Sequence, residues 1–264
     1  GEVVCITSDG FEQLIPPGER SQICSFLWIY YGYPASCYEG INVEACRNRC
    51  GAGRARGGHV DGVFVAGIAV SGSGAGIGDA AEANLPYRRP FVKYTPTWPR
   101  SFMPQEQRVR DLVARMKLIP VEELIEGNRL LFCEDSIVRG TQLTDIIKRL
   151  FDRGALEVHM RPACPPLLHG CKFLNFSQSK SEMDLAGRKA IVDLEGDGDA
   201  SLEEYGDPNS DRHAAMVERI GERLELTRLR YQRLDDMIEA IGLPRENLCT
   251  YCWNGEELYG GGSS

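Results

Sequence analysis

One stretch constrains this chain more than any other: Leu130-Leu-Phe-Cys-Glu-Asp-Ser-Ile-Val-Arg-Gly-Thr-Gln142. Leu130, Leu131 and Phe132 form a short apolar run, the pattern of a strand buried on both faces of a parallel sheet. The run ends in two adjacent acids, Glu134 and Asp135, and a short turn with glycine follows. Leu143, Ile146, Ile147, Leu150 and Phe151 then recur at helical spacing as one apolar stripe, and Gly154 stops the helix. Glu157-Val-His-Met160 reads as the next strand. Carboxylates at a strand end can accept hydrogen bonds from ribose hydroxyls or hold a divalent cation. The turn and helix start offer backbone N–H groups to a phosphate. The competing reading is an ordinary strand-to-helix turn with surface acids. Paired acids followed by Arg139-Gly-Thr141 are a narrower signal than a lone glycine motif.

The rest of the chain repeats parts of this pattern. Val63-Phe-Val-Ala-Gly-Ile68 is a second buried-strand candidate, running into glycine-rich Ala69–Gly76, read as a turn, and a helix over Ile77–Asn84. The first eighteen residues read as a strand, a turn at Ser8-Asp-Gly10 and a loop around Pro16-Pro17. Asn42–Arg49 reads as a short helix. Phe91–Gln107 is rich in Pro, Thr, Trp and Arg and reads as a long loop; ordered loops of that length often act as lids. Trp98 would anchor it. Val109–Leu118, Arg212–Arg230 and Tyr231–Ile241 read as helices, with Pro244 ending the last. There is no internal repeat.

Composition narrows the function classes. The chain has 264 residues and a net charge of −8, which argues against nucleic-acid binding through a broad basic surface. A polyanionic substrate would need local cations or Mg²⁺. No apolar run is clean enough to span a bilayer, and the N-terminus lacks a basic-then-apolar signal. The start at Gly1 and the Gly260–Ser264 tail suggest a fragment or a processed chain. Ten cysteines without a secretory signal point to metal or redox chemistry rather than a disulfide scaffold. Cys5 and Cys133 sit in apolar runs and are expected to pack as small hydrophobes. Cys249-Thr-Tyr-Cys252 fits three readings: a thioredoxin-type redox pair, a zinc site completed by Cys46 and Cys50, or an iron–sulfur cluster with two further thiolates. Asp193–Glu204 nearly fits a calcium-binding loop, but without a clear helix pair around it a solvated acidic insertion is the better reading.

The segment around Glu134-Asp135 resembles the phosphoribosyl pyrophosphate (PRPP) signature of type I phosphoribosyltransferases. Asp135-Ser-Ile-Val-Arg-Gly-Thr141 resembles, more narrowly, the amidophosphoribosyltransferase family. Segments Ile23–Tyr31, Gly40–Val43, Phe91–Lys93, Arg100–Phe102, Arg115–Leu118, Pro165-Pro166 with His169 and Cys171, and Ile238–Gly242 with Cys249 and Cys252 match the family in order. The stretch from Asp193 to Asp211 matches least. Two departures stand out. Ala69-Val70 replaces the acid-containing pair that family members carry before Ser71, and Glu134 stands where an aspartate is usual.

The resemblance implies a type I phosphoribosyltransferase fold: an α/β domain with a central parallel sheet flanked by helices and a C-terminal helical, cysteine-bearing segment. It implies residues 1–20 as the remnant of a missing N-terminal glutaminase domain, 21–176 as the phosphoribosyltransferase core, and 177–264 as an acidic insertion, helices and cluster segment. It implies Glu134 and Asp135 at the ribose and the developing cation, and residues Ser136, Ile137, Val138, Arg139, Gly140 and Thr141 around the 5-phosphate. Ser71, with Glu134 and Asp135, would attend Mg²⁺ and pyrophosphate, and Lys93 and Arg100 would close a lid. For the cysteines it selects Cys24, Cys171, Cys249 and Cys252 as ligands of a [4Fe–4S] cluster; His169 is expected to pack or hydrogen-bond. The implied activity is transfer of ammonia, drawn from glutamine by a missing domain, to C1 of PRPP, the first step of purine synthesis, in a cytoplasmic homo-oligomer. The alternative is a PRPP-binding regulatory or scaffold protein without turnover.

Overall fold

A computed structural model describes residues 2–18, 21–58, 60–68, 70–93, 118–172 and 182–256. Strands β1 (Val3–Thr7) and β2 (Gly10–Ile15) form an antiparallel hairpin exposed along its whole length. Cys5 is therefore exposed rather than packed. β3 (Ile23–Cys24) leads into a π-helical turn, Leu27–Tyr31, and a small hairpin of β4 (Cys37–Tyr38) and β5 (Ile41–Asn42). Then come α1 (Val43–Arg56), β6 (Val63–Gly67), α2 (Val70–Ala83), β7 (Phe91–Lys93), β8 (Leu118–Pro120), β9 (Arg129–Glu134), α3 (Thr141–Phe151) and β10 (Glu157–Pro162). The chain continues through α4 (Ala186–Glu195), α5 (Leu202–Gly206), α6 (Asp211–Arg223), β11 (Arg228–Leu229), α7 (Leu234–Ile241), β12 (Leu248–Cys249) and α8 (Tyr251–Asn254).

The central sheet has the order β11-β10-β9-β6, with every neighbouring pair parallel. Side chains alternate across it. Phe64, Leu130, Phe132, Val158 and Met160 face one core, closed by Leu143, Ile147 and Leu150 of α3, Ile191 of α4, and Met216 and Ile220 of α6. Val63, Val65, Leu131 and Cys133 face a second core with Cys46 and Cys50 of α1, Ala75 and Ala80 of α2, and Met237 and Ile241 of α7. A sheet covered on both faces explains why its strands read as continuous apolar runs. The α/β fold with a parallel sheet is as the sequence led one to expect. Among the described residues, no helix is long and apolar enough to cross a membrane.

Several elements differ from the sequence reading: Phe91–Lys93, read as loop, and Leu118, read as helix, belong to the paired strands β7 and β8. The glycine-rich stretch is not a turn: α2 starts at Val70 and runs through it. Its glycines permit close packing. A Cβ on Gly78 would lie 2.0 Å from the Asn48 carbonyl oxygen of α1, and one on α1 Gly51 would lie 1.9 Å from that of Ala75. α1 extends to Arg56, begun by Asn42, whose side chain accepts the Ala45 N–H at 2.9 Å. The helix expected over Arg212–Arg230 ends at Arg223; Glu225 takes φ +57° and the chain turns into the sheet's edge strand β11. Asp193 lies inside α4 and pairs with Arg219 and Arg223 of α6, so the acidic stretch ties two helices together. Val109 to Lys117, Trp98 and Arg100 lie outside the described residues.

Candidate active site at the carboxyl end of the sheet

β9 carries Glu134 to the carboxyl end of the sheet, and Asp135 follows it directly. Their exposures are 8% and 5%. Asp135 Oδ1 accepts the Ser136 hydroxyl at 2.9 Å, and Oδ2 accepts the hydroxyl of Ser71. Glu134 Oε1 accepts the Asp135 N–H at 3.2 Å. Both backbone carbonyls accept the Ala163 N–H, at 2.8 and 3.2 Å, which locks the acid pair to the end of β10. Ser71 arrives from the first turn of α2. A Cβ on Gly72 would lie 2.4 Å from the Cys133 carbonyl oxygen, and one on Gly67 would lie 2.6 Å from Ser73. Only glycine lets that helix start ride over the strand end, and Ser71 meets Asp135 as a result.

Burial, reinforced by the charge of Asp135, pushes the Glu134 carboxyl well above the ordinary carboxylate range. Burial also raises Asp135, opposed by the hydroxyls of Ser71 and Ser136. Among the described residues, no Lys or Arg forms an ion pair with either acid. Tyr30 faces them: burial, then the charges of Asp135 and Glu134, raise its phenol. Tyr30 lies in a π-helical turn fixed by Arg47, which is 1% exposed. The Arg47 guanidinium donates to the carbonyls of Trp28 (2.9 Å), Tyr30 (2.9 Å) and Gly32 (3.0 Å). Sequence reading missed both residues, because nothing in the local pattern distinguishes Arg47 from a solvated helical arginine.

The turn after Asp135 closes on Gly140, at φ +79°, immediately before α3. No side chain caps that helix; the Leu143 and Thr144 N–H groups donate to the Gly140 carbonyl, which leaves only the N–H groups before them for a ligand or solvent. Ile137, 2% exposed, pins the turn to the core. Beside it lies a cavity of about 150 Å³ lined by Arg139, Gly140, Thr141, Lys189 and Arg223. Lys189 and Arg223 come from α4 and α6 and bring positive charge to the phosphate-sized space; neither was foreseen. Glu134 and Asp135 do not line this cavity. Lys93 ends β7, paired with β8, and Arg100 lies outside the described residues. The structure thus brings Ser71, Glu134, Asp135 and Ser136 into one hydrogen-bonded group, with Arg139, Gly140 and Thr141 alongside.

The cysteines gather in a second place. β3 and β12 are parallel partners, with Cys24 opposite Cys249. Cys252 on α8 hydrogen-bonds Cys171, and Cys24, Cys171 and Cys249 all raise its thiol further after burial. The Cys252 carbonyl accepts the N–H groups of Leu168 (3.0 Å) and His169 (3.1 Å). Cys46 and Cys50 instead hydrogen-bond each other within α1. Among the described residues, no group of three or more His, Cys, Asp or Glu stands at metal-holding separations. The four thiols are neighbours without closing round an ion. All-sulfur donors fit a soft site, zinc or iron–sulfur, and the buried acid pair with two hydroxyls fits a hard cation such as Mg²⁺. His169 packs its ring on Tyr251, centroids 5.5 Å apart.

No protein-family model matches the chain. Over 256 residues it is 30% identical to the amidophosphoribosyltransferase of Synechococcus elongatus, covering 97% of this chain and 46% of that protein. It is 31% identical to that of Mycobacterium tuberculosis, covering 97% and 44%. Over 171 residues it is 37% identical to the Pyrococcus horikoshii enzyme, covering 65% and 37%. Two solved structures superpose on 98% of the chain. One, described as the allosteric regulatory enzyme of purine biosynthesis, has a TM-score of 0.72, 28% identity and 52% of its chain covered. The other, the Bacillus subtilis glutamine PRPP amidotransferase complexed with ADP and GMP, has a TM-score of 0.71, 27% identity and 53% covered. The chain spans about half the length of these relatives.

Proposed function

The chain is a homologue of the amidophosphoribosyltransferases over 97% of its own length, and on that premise we propose that it binds PRPP and transfers ammonia to C1, releasing pyrophosphate and giving 5-phosphoribosylamine. The observation that carries the reading is the buried Glu134–Asp135 pair, held by Ser71 and Ser136 and without an Arg or Lys partner among the described residues. Two desolvated carboxylates in one place are costly unless something cationic meets them. A ribose ring turning into an oxocarbenium ion, with a divalent cation on its pyrophosphate, is such a partner.

In this reading the ammonia lone pair forms the new C1–N bond as the C1–O bond to pyrophosphate breaks. Pyrophosphate leaves with the electron pair, and the ammonium formed loses a proton to solvent. Glu134 and Asp135 hold the ribose hydroxyls and place negative charge beside the developing cation. The Gly140–Thr141 end of the turn and the open start of α3 hold the 5-phosphate, with Arg139 beside them. Ser71 orients Asp135 and faces the pyrophosphate, and Lys93 and Arg100 supply the closing cations. Bound Mg²⁺ would be held by Asp135, Glu134 and Ser71 and would neutralise the leaving pyrophosphate. Cys24, Cys171, Cys249 and Cys252 would hold a [4Fe–4S] cluster that joins β3, β12 and α8. Ammonia comes from glutamine through a separate glutaminase unit, or from solution.

Mixing the chain with PRPP, Mg²⁺ and ammonium and following pyrophosphate tests the proposal. Release that depends on PRPP and ammonium and falls steeply in Asp135→Asn is the expected result. PRPP binding without release would replace the reading with a non-catalytic PRPP-binding protein. Iron and acid-labile sulfide analysis, with the visible spectrum, tests the cluster against zinc.

A further inference from the structure

At the other edge of the sheet lies a cavity of about 600 Å³ between α1, α6 and the segment that follows β11. It is separate from the acid pair and its chemistry is opposite. Arg54, 4% exposed, reaches into it from the last turn of α1; its Nη1 donates to the Arg161 carbonyl, but Nε and Nη2 have no partner. Gln232, 3% exposed, lines the same space with neither its amide oxygen nor its amide nitrogen engaged. The neighbouring Tyr231 hydroxyl is also buried without a partner. Arg228, exposed, and Arg230, half-buried, complete the wall; among the described residues neither forms an ion pair, although the charges of Asp236 and Asp79 act on Arg230.

The local charge balance has a gap. Arg161 is matched by Asp79, 0% exposed, through contacts of 2.8 and 2.9 Å. Among the described residues no acid is paired with Arg54, Arg228 or Arg230 in that way; Asp236 and Asp79 act on Arg230 only at longer range. The acids on this wall are Glu218, Glu222 and Asp236, and Arg219 already engages Glu222. Folded proteins seldom leave buried donors unanswered. Three arginines lining one space with an amide that offers both a donor and an acceptor form the kind of site that takes an oxyanion. The volume lies within the range of small-molecule sites.

We infer that this cavity is a binding site for a small multivalent oxyanion, a phosphate ester or a polycarboxylate, bound by Arg54, Arg228 and Arg230 and read by the amide of Gln232. The site stands apart from the proposed transferase chemistry, so either can fail without the other. Inorganic phosphate and citrate are titrated separately into the ¹⁵N-labelled full chain, and the Gln232 side-chain amide signal is followed, assigned by its loss in Gln232→Leu. A saturable shift in one arm is expected, and the arm that shifts tells phosphate from carboxylate chemistry. In Arg230→Ala, or Arg230→Gln if the first variant unfolds, affinity should fall about tenfold or more, the usual effect of losing one charge-assisted bond. Asp135→Asn should leave this titration unchanged. Absence of any shift in both arms overturns the inference, as does an equal affinity in the Arg230 variants. A signal from the Gly140 region alone overturns it too, because it would place the only anion at the phosphate turn.

Discussion

The carboxyl end of β9 and the carboxyl end of β11 are built with opposite charge and the same logic. At β9 two acids are buried with no Lys or Arg ion-paired to them among the described residues; near β11, Arg54 and the Gln232 amide are buried with unpartnered polar atoms, Arg230 is half-buried and Arg228 is exposed. Between them, Arg161 of β10 and Asp79 of α2 pair, and the other terminal nitrogen of Arg161 donates to the Gly58 carbonyl. The middle pair is structure: each charge stays buried because the other is there. Among the described residues the outer groups have no such ion-pair partner, and burial, reinforced at Glu134 by the charge of Asp135, raises both carboxyls above their ordinary range. Desolvated charge that the fold pairs supports the fold, and desolvated charge that it leaves unpaired waits for a ligand.

The most severe way to break this comparison is to unpair the middle. Asp79→Ala should cost about 3–5 kcal/mol, because it strands the Arg161 guanidinium in a dry site; chemical denaturation measures it, and a loss below about 1 kcal/mol would mean Arg161 finds water. Next, Asp135→Asn should lower the rate of pyrophosphate release by about 10²–10³-fold, the scale seen when one group facing transition-state charge is lost. It should not destabilise the ligand-free chain, in contrast to Asp79→Ala. Steady-state kinetics and thermal unfolding on the same preparations separate the two.

The pH dependence sharpens the contrast. Glu134 has a folded pKa raised by burial and by Asp135, while its unfolded value is ordinary. Between those values the folded state holds a proton that the unfolded state has lost. Its contribution to stability is therefore complete below the ordinary carboxylate pKa and fades as pH rises toward the raised value. Unfolding free energies of the ligand-free chain should fall across that window, and Glu134→Gln should flatten the fall. An unchanged slope in the variant would move the effect to another group. A smaller effect is expected at the turn: Gly140→Ala should cost about 1–2 kcal/mol, because φ +79° is left-handed and the new Cβ would meet Leu224 Cδ2 at 2.9 Å. Stability and KM for PRPP should both move, KM more.

The acid pair was readable because its cause is local. Strand, acids, turn and helix follow one another within Leu130–Phe151, and each signals itself through spacing. Gly140 as a turn residue needs only a backbone argument. The start of α2 was misread for the opposite reason. Glycine is a poor helix former, and only the approach of α1 and β9 makes glycine necessary there. β11 escaped notice because two residues carry no periodicity. Arg47 and Arg54 look in sequence like the polar face of a surface helix; their burial depends on the π-helical turn on one side and β10 on the other. Lys189 and Arg223 likewise become neighbours of the Arg139–Thr141 turn only when α4 and α6 pack over it.

The amino-acid order by itself determined the parallel α/β architecture, the acid pair at a strand end and the glycine turn before α3, since each depends on contacts within a few residues. Tertiary structure alone decided that Ser71 holds Asp135, that Tyr30 faces the acids, that Cys24 and Cys249 lie side by side, and that arginines from α1 and β11 share a cavity. Those contacts join segments far apart in the chain. Their energies come from removing charge and sulfur from water, which no local pattern encodes.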